Sequence, residues 1–199
     1  MEKLNEQVKK KIENKIEDVR HIFISPDAIN LKNKDKGYVD IIGIAEELGF
    51  AVGNTRLSRE EDGFVFINEG ERMPSNAPSD KLIGVNSELS LPWKRFVIAH
   101  ELGHYFLHYL DNALDYEGMY AHRENRKGKN SQEQEADYFA ACLLMPKDLF
   151  SERYRELKKP HLSNAENALL LSKEFIVTQM MAQRRIYELE LSNEYGQRG

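Results

Sequence analysis

Residues 100 to 104 read His-Glu-Leu-Gly-His, and Glu-Gln-Glu-Ala-Asp follows at 133 to 137. These motifs constrain the fold more than any other part of the chain, because their chemistry works only if each lies on a helix and the two helices pack together. On a helix, positions four apart lie about 40° apart around the axis, so His100 and His104 share a face from which two imidazoles can grip one ion. Glu101 sits beside that face without joining it. A carboxylate there can take a proton from a water made acidic by a zinc ion and pass it to a leaving amine.

A catalytic zinc ion needs a third protein ligand that leaves one position open, and a carboxylate is a common choice. Glu133 is the candidate. Ser131 as N-cap, with Gln134 three residues on, predicts a helix from 132 through Leu144, ended by Met145-Pro146. Glu133 and Asp137 then share one face. Gly103 on the first helix and Ala136, Ala140 and Ala141 on the second keep the facing surfaces small enough for close approach. Asp137, one turn deeper, could accept the free ring N–H of a ligand histidine and so fix its tautomer. Glu135 lies about 200° around from Glu133 and is expected to face away. Cys142 lies about 180° around and is expected in the core as a structural thiol. His108, about 80° around from His100 on a continuous helix, could line the cleft or pack structurally. Each acid alone reads equally well as part of a solvated charged face; the conjunction of the two motifs is what points to a metal.

Arg95-Phe96-Val97-Ile98-Ala99 before the first motif and Phe139-Ala140-Ala141-Cys142-Leu143-Leu144-Met145-Pro146 after Asp137 resemble the ImmA/IrrE-type metallopeptidases, over roughly residues 38 to 190. The spacing from Glu133 to Asp137 also looks like the second motif of the wider gluzincin group. The resemblance implies an α+β fold with a small thermolysin-like core, one Zn2+ per chain held by His100, His104 and Glu133, and Glu101 as general base. It also implies a protein substrate, a helix-turn-helix repressor of a mobile element or stress regulon.

Composition fits one globular unit with a real core, since 41% of the 199 residues are hydrophobic and 31% charged. No apolar run approaches the roughly eighteen residues of a membrane span, and the charged stretch from Glu2 to Arg20 has no signal-type segment, so a cytoplasmic location without membrane attachment is expected. A net charge of −5 argues against broad electrostatic binding to nucleic acid. The single cysteine rules out an internal disulfide.

Three regions are expected: an N-terminal amphipathic helix in 1–22, a peptidase core in 23–150 and a C-terminal helical region in 151–199. Leu4, Val8, Ile12 and Ile16 recur at four-residue spacing in the first, which predicts a helix docked on the core or on a second subunit. In the core, a helix over 38–48 ends at Gly49, and β-rich segments follow near 50–55, 63–68 and 81–86. Leu91-Pro92-Trp93 opens the motif helix. By the implied fold, the strand at 81–86 is expected to be a sheet edge able to pair with an extended peptide. Residues 111–130 lack periodicity and read as a polar connection, either a lid or an ordinary loop. Tyr120, His122, Tyr154 and His161 remain open as donors to a transition-state oxygen.

The C-terminal region carries a helix-turn-helix rhythm, Ala168-Leu169-Leu170-Leu171-Ser172 and Val177-Thr178 ahead of Arg184-Arg185. This rival reading places basic residues on DNA, although acidic overall charge weakens it and a scaffold or substrate-docking role suits it better. The other rival is a non-catalytic zinc-binding regulator, against which Glu101 counts because a purely structural site needs no base. The sequence carries no signature of a particular oligomeric state.

Overall fold

The computed structural model describes residues 4–23, 39–68, 79–110, 119–125, 130–159 and 161–191, with side chains described throughout except at 20–23 and 119–125. Its architecture is α+β. The elements run α1 (Glu6–Phe23), α2 (Ile41–Glu47), β1 (Ala51–Thr55), β2 (Glu61–Asn68), β3 (Lys81–Asn86), α3 (Leu91–His104), a π-turn (Tyr105–Tyr109), β4 (Met119–Asn125), α4 (Ser131–Leu144), α5 (Lys147–Leu157), α6 (Asn164–Phe175) and α7 (Gln179–Glu188). Four strands form one mixed sheet in the order β1-β3-β2-β4. β1 runs parallel to β3, while β2 is antiparallel to both β3 and β4.

Two expectations are overturned here. β3 is internal, hydrogen-bonded to β1 on one side and β2 on the other, so its backbone groups are already taken and it offers no edge. The stretch expected to be an aperiodic loop or lid contains β4, paired to β2 with Phe66 opposite Ala121 and Ile67 opposite Tyr120. A strand held by a ladder does not need the alternating pattern of a half-buried one, so periodicity failed to reveal it. The rest of that stretch, 111–118 and 126–129, lies outside the described residues.

α3 is the axis of the molecule. Pro92 lies in its first turn, where the missing N–H costs nothing, and from Arg95 to His104 every residue is buried. A helix hidden all round is enclosed by other elements, not set on a surface. The sheet lies against it through β2 and β3, α2 covers another side, and α4 packs along it. Its contact with β2 is close: a Cβ built on Gly63 would stand 2.3 Å from a Val97 methyl. Its contact with α4 is also close, since a Cβ on Gly103 would lie 3.0 Å from the Ala136 Cα and 3.2 Å from its carbonyl oxygen. Of the small residues read from the sequence, Gly103 and Ala136 meet at this crossing as expected.

α1 is the expected amphipathic helix and docks on α4 of the same chain, burying Ile12, Ile16 and Val19. Burial pushes the Tyr138 hydroxyl well above its usual range, so it stays protonated and donates to Glu13 Oε1 at 2.6 Å. Burial likewise pushes the Cys142 thiol up, against the opposing pull of Arg185, consistent with an inert core thiol.

Two buried arginines tie the C-terminal helices to the two motif helices. Arg95 of α3 donates to the carbonyls of Val39, at 2.6 Å, and Ile176, at 3.2 Å. Ile176 is the left-handed residue that ends α6 at φ 51°, a conformation that a β-branched side chain resists by about 1–2 kcal/mol. Arg185 of α7 donates to the carbonyl of Met145, just past the end of α4, at 3.1 Å. The α6–α7 pair thus has a helix-turn-helix shape, but its second helix spends Arg185 on the protein interior, where the residue is 2% exposed. Arg184 is tied to Glu188 at 2.9 Å. Arg185 is therefore turned away from any surface ligand, while Arg184 stays largely exposed in its surface pair with Glu188.

Arg185→Ala is expected to cost about 3 kcal/mol in urea unfolding, because it strips buried partners of their charge and donor, whereas Arg184→Ala next to it should change stability by less than about 0.5 kcal/mol. Gly103→Val is expected to lower stability by about 1–3 kcal/mol in the same assay, since its side chain must displace the α4 backbone.

Candidate metal centre

The buried length of α3 contains His100, Glu101 and His104, all at most 1% exposed. Polar side chains this deep need partners. α4 supplies them. Asn130 caps the helix, its Oδ1 accepting the backbone N–H of Glu133 at 2.9 Å; the expected cap at Ser131 is therefore one residue late, and Ser131 is the first helical residue. Asparagine and serine are nearly equal as caps, so adjacent candidates could not be separated from the sequence. With the helix started this way, Glu133 falls in its first turn, where the helix dipole favours a carboxylate.

Glu133 is 8% exposed and reaches both histidines. Its Oε2 lies 3.3 Å from His100 Nε2 and its Oε1 lies 3.5 Å from His104 Nε2, while the two Nε2 atoms are 3.1 Å apart. Asp137 Oδ1 stands 3.1 Å from His100 Nδ1. A carboxylate can only accept, so Nδ1 of a neutral His100 carries the proton and its Nε2 turns a lone pair toward His104 and Glu133. Acceptors facing one another at this range repel unless a positive centre sits among them.

The donor set fits a metal. Zinc bonds of about 2.0–2.1 Å at a tetrahedral angle put neighbouring ligand atoms roughly 3.3 Å apart, and the three measured separations bracket that value. His100, His104 and Glu133 are the group of buried side chains among the described residues whose ligand atoms converge in this way. The structure thus brings together the three residues that the motifs nominated, with Asp137 behind His100.

The remaining nominated residues have definite places. Glu101 is outside the trio and fully buried toward β2, its Oε1 3.6 Å from where a Cβ on Gly63 would stand. Glu135 points away, lining a cavity of about 350 Å³ with Lys11, Lys15 and Asp18 of α1. Tyr154 is buried in the core and His161 is exposed before α6. Tyr120 and His122 fall on β4, where only the backbone is described.

His108 departs from its expected position because the helix is not continuous α. From Tyr105 to Tyr109 it is a π-turn, with the Leu110 N–H bonded to the Tyr105 carbonyl. A π-turn takes nearly one residue more per turn, so it winds back the roughly 40° that each four-residue step gains on an α-helix. His108 stands beside His104 and against the start of α4: ring centres are 4.8 Å apart from His100 to His104 and 5.2 Å from His104 to His108, and His108 Nε2 lies 3.3 Å from the Gln132 carbonyl oxygen. Nothing in the sequence marks a π-turn.

Among curated proteins, none matches this chain significantly. A solved structure titled Mycobacterium tuberculosis transcriptional regulator is similar at 14% identity and a TM-score of 0.44, over 90% of this chain and 47% of that one. The chain spans about half the length of that protein. The family described as the IrrE N-terminal-like domain matches residues 68–187, well over half of the sequence and somewhat less than the 38–190 over which resemblance was expected. The matched segment holds both motifs and every residue of the trio. The chain belongs to this peptidase family, Peptidase M78.

Proposed function

We propose that the protein is a zinc-dependent endopeptidase in which His100, His104 and Glu133 hold one ion, Glu101 is the general base and Asp137 orients His100. The observation that carries this reading is the convergence of two imidazole nitrogens and a carboxylate within 3.1–3.5 Å, on two helices from a peptidase family. Bound there, zinc would supply Lewis acidity, polarising a peptide carbonyl and making water easier to deprotonate.

The chain's own residues supply the rest. Asp137 holds the proton of His100 on Nδ1, which keeps Nε2 available as a ligand atom. Glu101 takes a proton from the attacking water as its oxygen bonds to the carbonyl carbon. It then delivers that proton to the amide nitrogen as the C–N bond breaks, and the remaining hydroxyl proton of the new acid passes to the amine, so the products are a carboxylate and an ammonium. Burial of Glu101 and both histidines keeps competing water from the reacting groups.

The substrate we propose is a protein, specifically a helix-turn-helix repressor, on the strength of the family resemblance. β4 replaces β3 as the strand that could receive an extended segment, since it closes the sheet on the β2 side and has one unpaired edge among the described strands. We further propose a thermolysin-like core flanked by α1 and by a C-terminal helical region that serves as scaffold or docking platform, and a cytoplasmic location. Among the described residues, no helix is long and apolar enough to cross a membrane.

Purified without added metal, the wild type should carry about one zinc per chain and Glu133→Gln far less, because a catalytic site has only three protein ligands and loses one; elemental analysis of both proteins decides this. Metal-free wild type would sink the reading. Glu101→Gln should retain zinc while cleaving a fluorogenic peptide library about 10²–10⁴-fold more slowly. Equal cleavage by that variant would remove Glu101 as the base, whereas full biological activity in a variant that no longer cleaves would favour a protein that binds its partner without cutting it.

A further inference from the structure

We infer that His108 is a positioning residue that holds Glu133 on the metal, acting together with Asn130 through the peptide group that joins Gln132 to Glu133. The inference rests on the metal-centre reading above and concerns a residue that takes no part in the ligand set.

One peptide plane precedes the Glu133 Cα, and each of its polar atoms meets a side chain, the carbonyl in addition to its place in the α4 ladder. Its N–H, one of the four that an α-helix leaves without an internal partner, is received by Asn130 Oδ1 at 2.9 Å. Its carbonyl, Gln132 O, lies 3.3 Å from His108 Nε2, and because a carbonyl only accepts, the ring nitrogen donates. In the first turn of a helix, where the ladder is weakest, two side-chain bonds at opposite ends of one rigid plane reinforce its orientation. The side chain that leaves the next Cα then starts from a fixed direction. Glu133 needs this, because its carboxylate must be held at 3.3–3.5 Å from two nitrogens on a different helix.

The π-turn is what lets His108 serve. On an unbroken α-helix its ring would be turned about 80° from that of His100. With the π-turn the ring sits beside His104, at 6% exposure, against the start of α4. π-turns inside helices frequently occur at functional sites. The device links the end of one motif helix to the beginning of the other. Gly103 and Ala136 set the distance between the helices, and His108 sets the orientation of the peptide group that bears the third ligand.

The test is zinc affinity, measured by competition with a chromophoric chelator, which needs no substrate. His108→Leu should weaken zinc binding about 10–100-fold, the usual effect of removing a group that orients a ligand, with the far-UV spectrum of the metal-free protein unchanged. His108→Gln, which keeps an N–H donor at similar reach, should recover most of the affinity. Asn130→Ala should weaken zinc in the same direction from the other end of the peptide plane, and it remains a valid probe should His108→Leu fail to fold. In a Glu133→Gln background, His108→Leu should add less than about 2-fold, because the ligand that His108 positions is already gone. A wild type that binds zinc, with His108→Leu and Asn130→Ala binding as tightly, would overturn this inference alone. So would a loss of the same size in both backgrounds. A wild type that binds no zinc would overturn the metal centre and this inference with it.

Discussion

The contact on which the structure depends is the crossing of α3 and α4, where Gly103 meets the backbone of Ala136. Two helices with ordinary side chains at their contact lie 8–10 Å apart at their axes. A glutamate on one can close on histidines of the other only at the near end of that range. Gly103 has no Cβ and the side chain of Ala136 ends at its own, so the backbones approach until Glu133 lies within 3.5 Å of both rings. The same glycine costs about 1 kcal/mol of helix propensity relative to alanine. That local loss is offset by the burial around it, since ten consecutive residues of α3 are hidden.

Around this crossing the molecule is built to prevent relative movement of the two helices. The sheet presses β2 onto α3 at Gly63, α1 holds the outer side of α4 through Tyr138 and Glu13, and the α6–α7 pair reaches both motif helices through Arg95 and Arg185. Each buried arginine donates to a carbonyl at or just beyond a helix end, where backbone acceptors lack internal partners. The helix-turn-helix shape at the C-terminus is therefore coupled mechanically to the site. Its exposed side carries Met180 and Tyr187, at 72% and 70% exposure, together with Lys173 and Arg184.

The difference between the three histidines shows how much backbone detail matters. His100 and His104 obey simple α-helical spacing and face one centre. His108 follows at the same interval yet contacts the start of α4, because five residues of π-turn intervene. Asn130 gives a similar lesson, since its one-residue shift from the expected cap determines which N–H is bonded beside Glu133.

The trio, the residue behind His100 and the outward direction of Glu135 were all legible from spacing, since helical periodicity determines which side chains share a face before any packing occurs. The existence and type of most elements were legible for the same reason. Sheet order was not: whether β3 is an edge depends on β1 and β4, which pair through backbone groups that every residue possesses. β4 was missed because the hydrogen-bond ladder, not side-chain alternation, holds it. The fates of Arg184 and Arg185 were also undecided, as adjacent identical residues differ only in which side of α7 meets the end of α4. The sequence by itself thus determined which chemical groups are available and how they are phased along each helix, because phase is a local property of the backbone. Only the tertiary structure decided how closely the helices approach, which strand closes the sheet and which polar groups meet, because those depend on contacts between segments far apart in the chain.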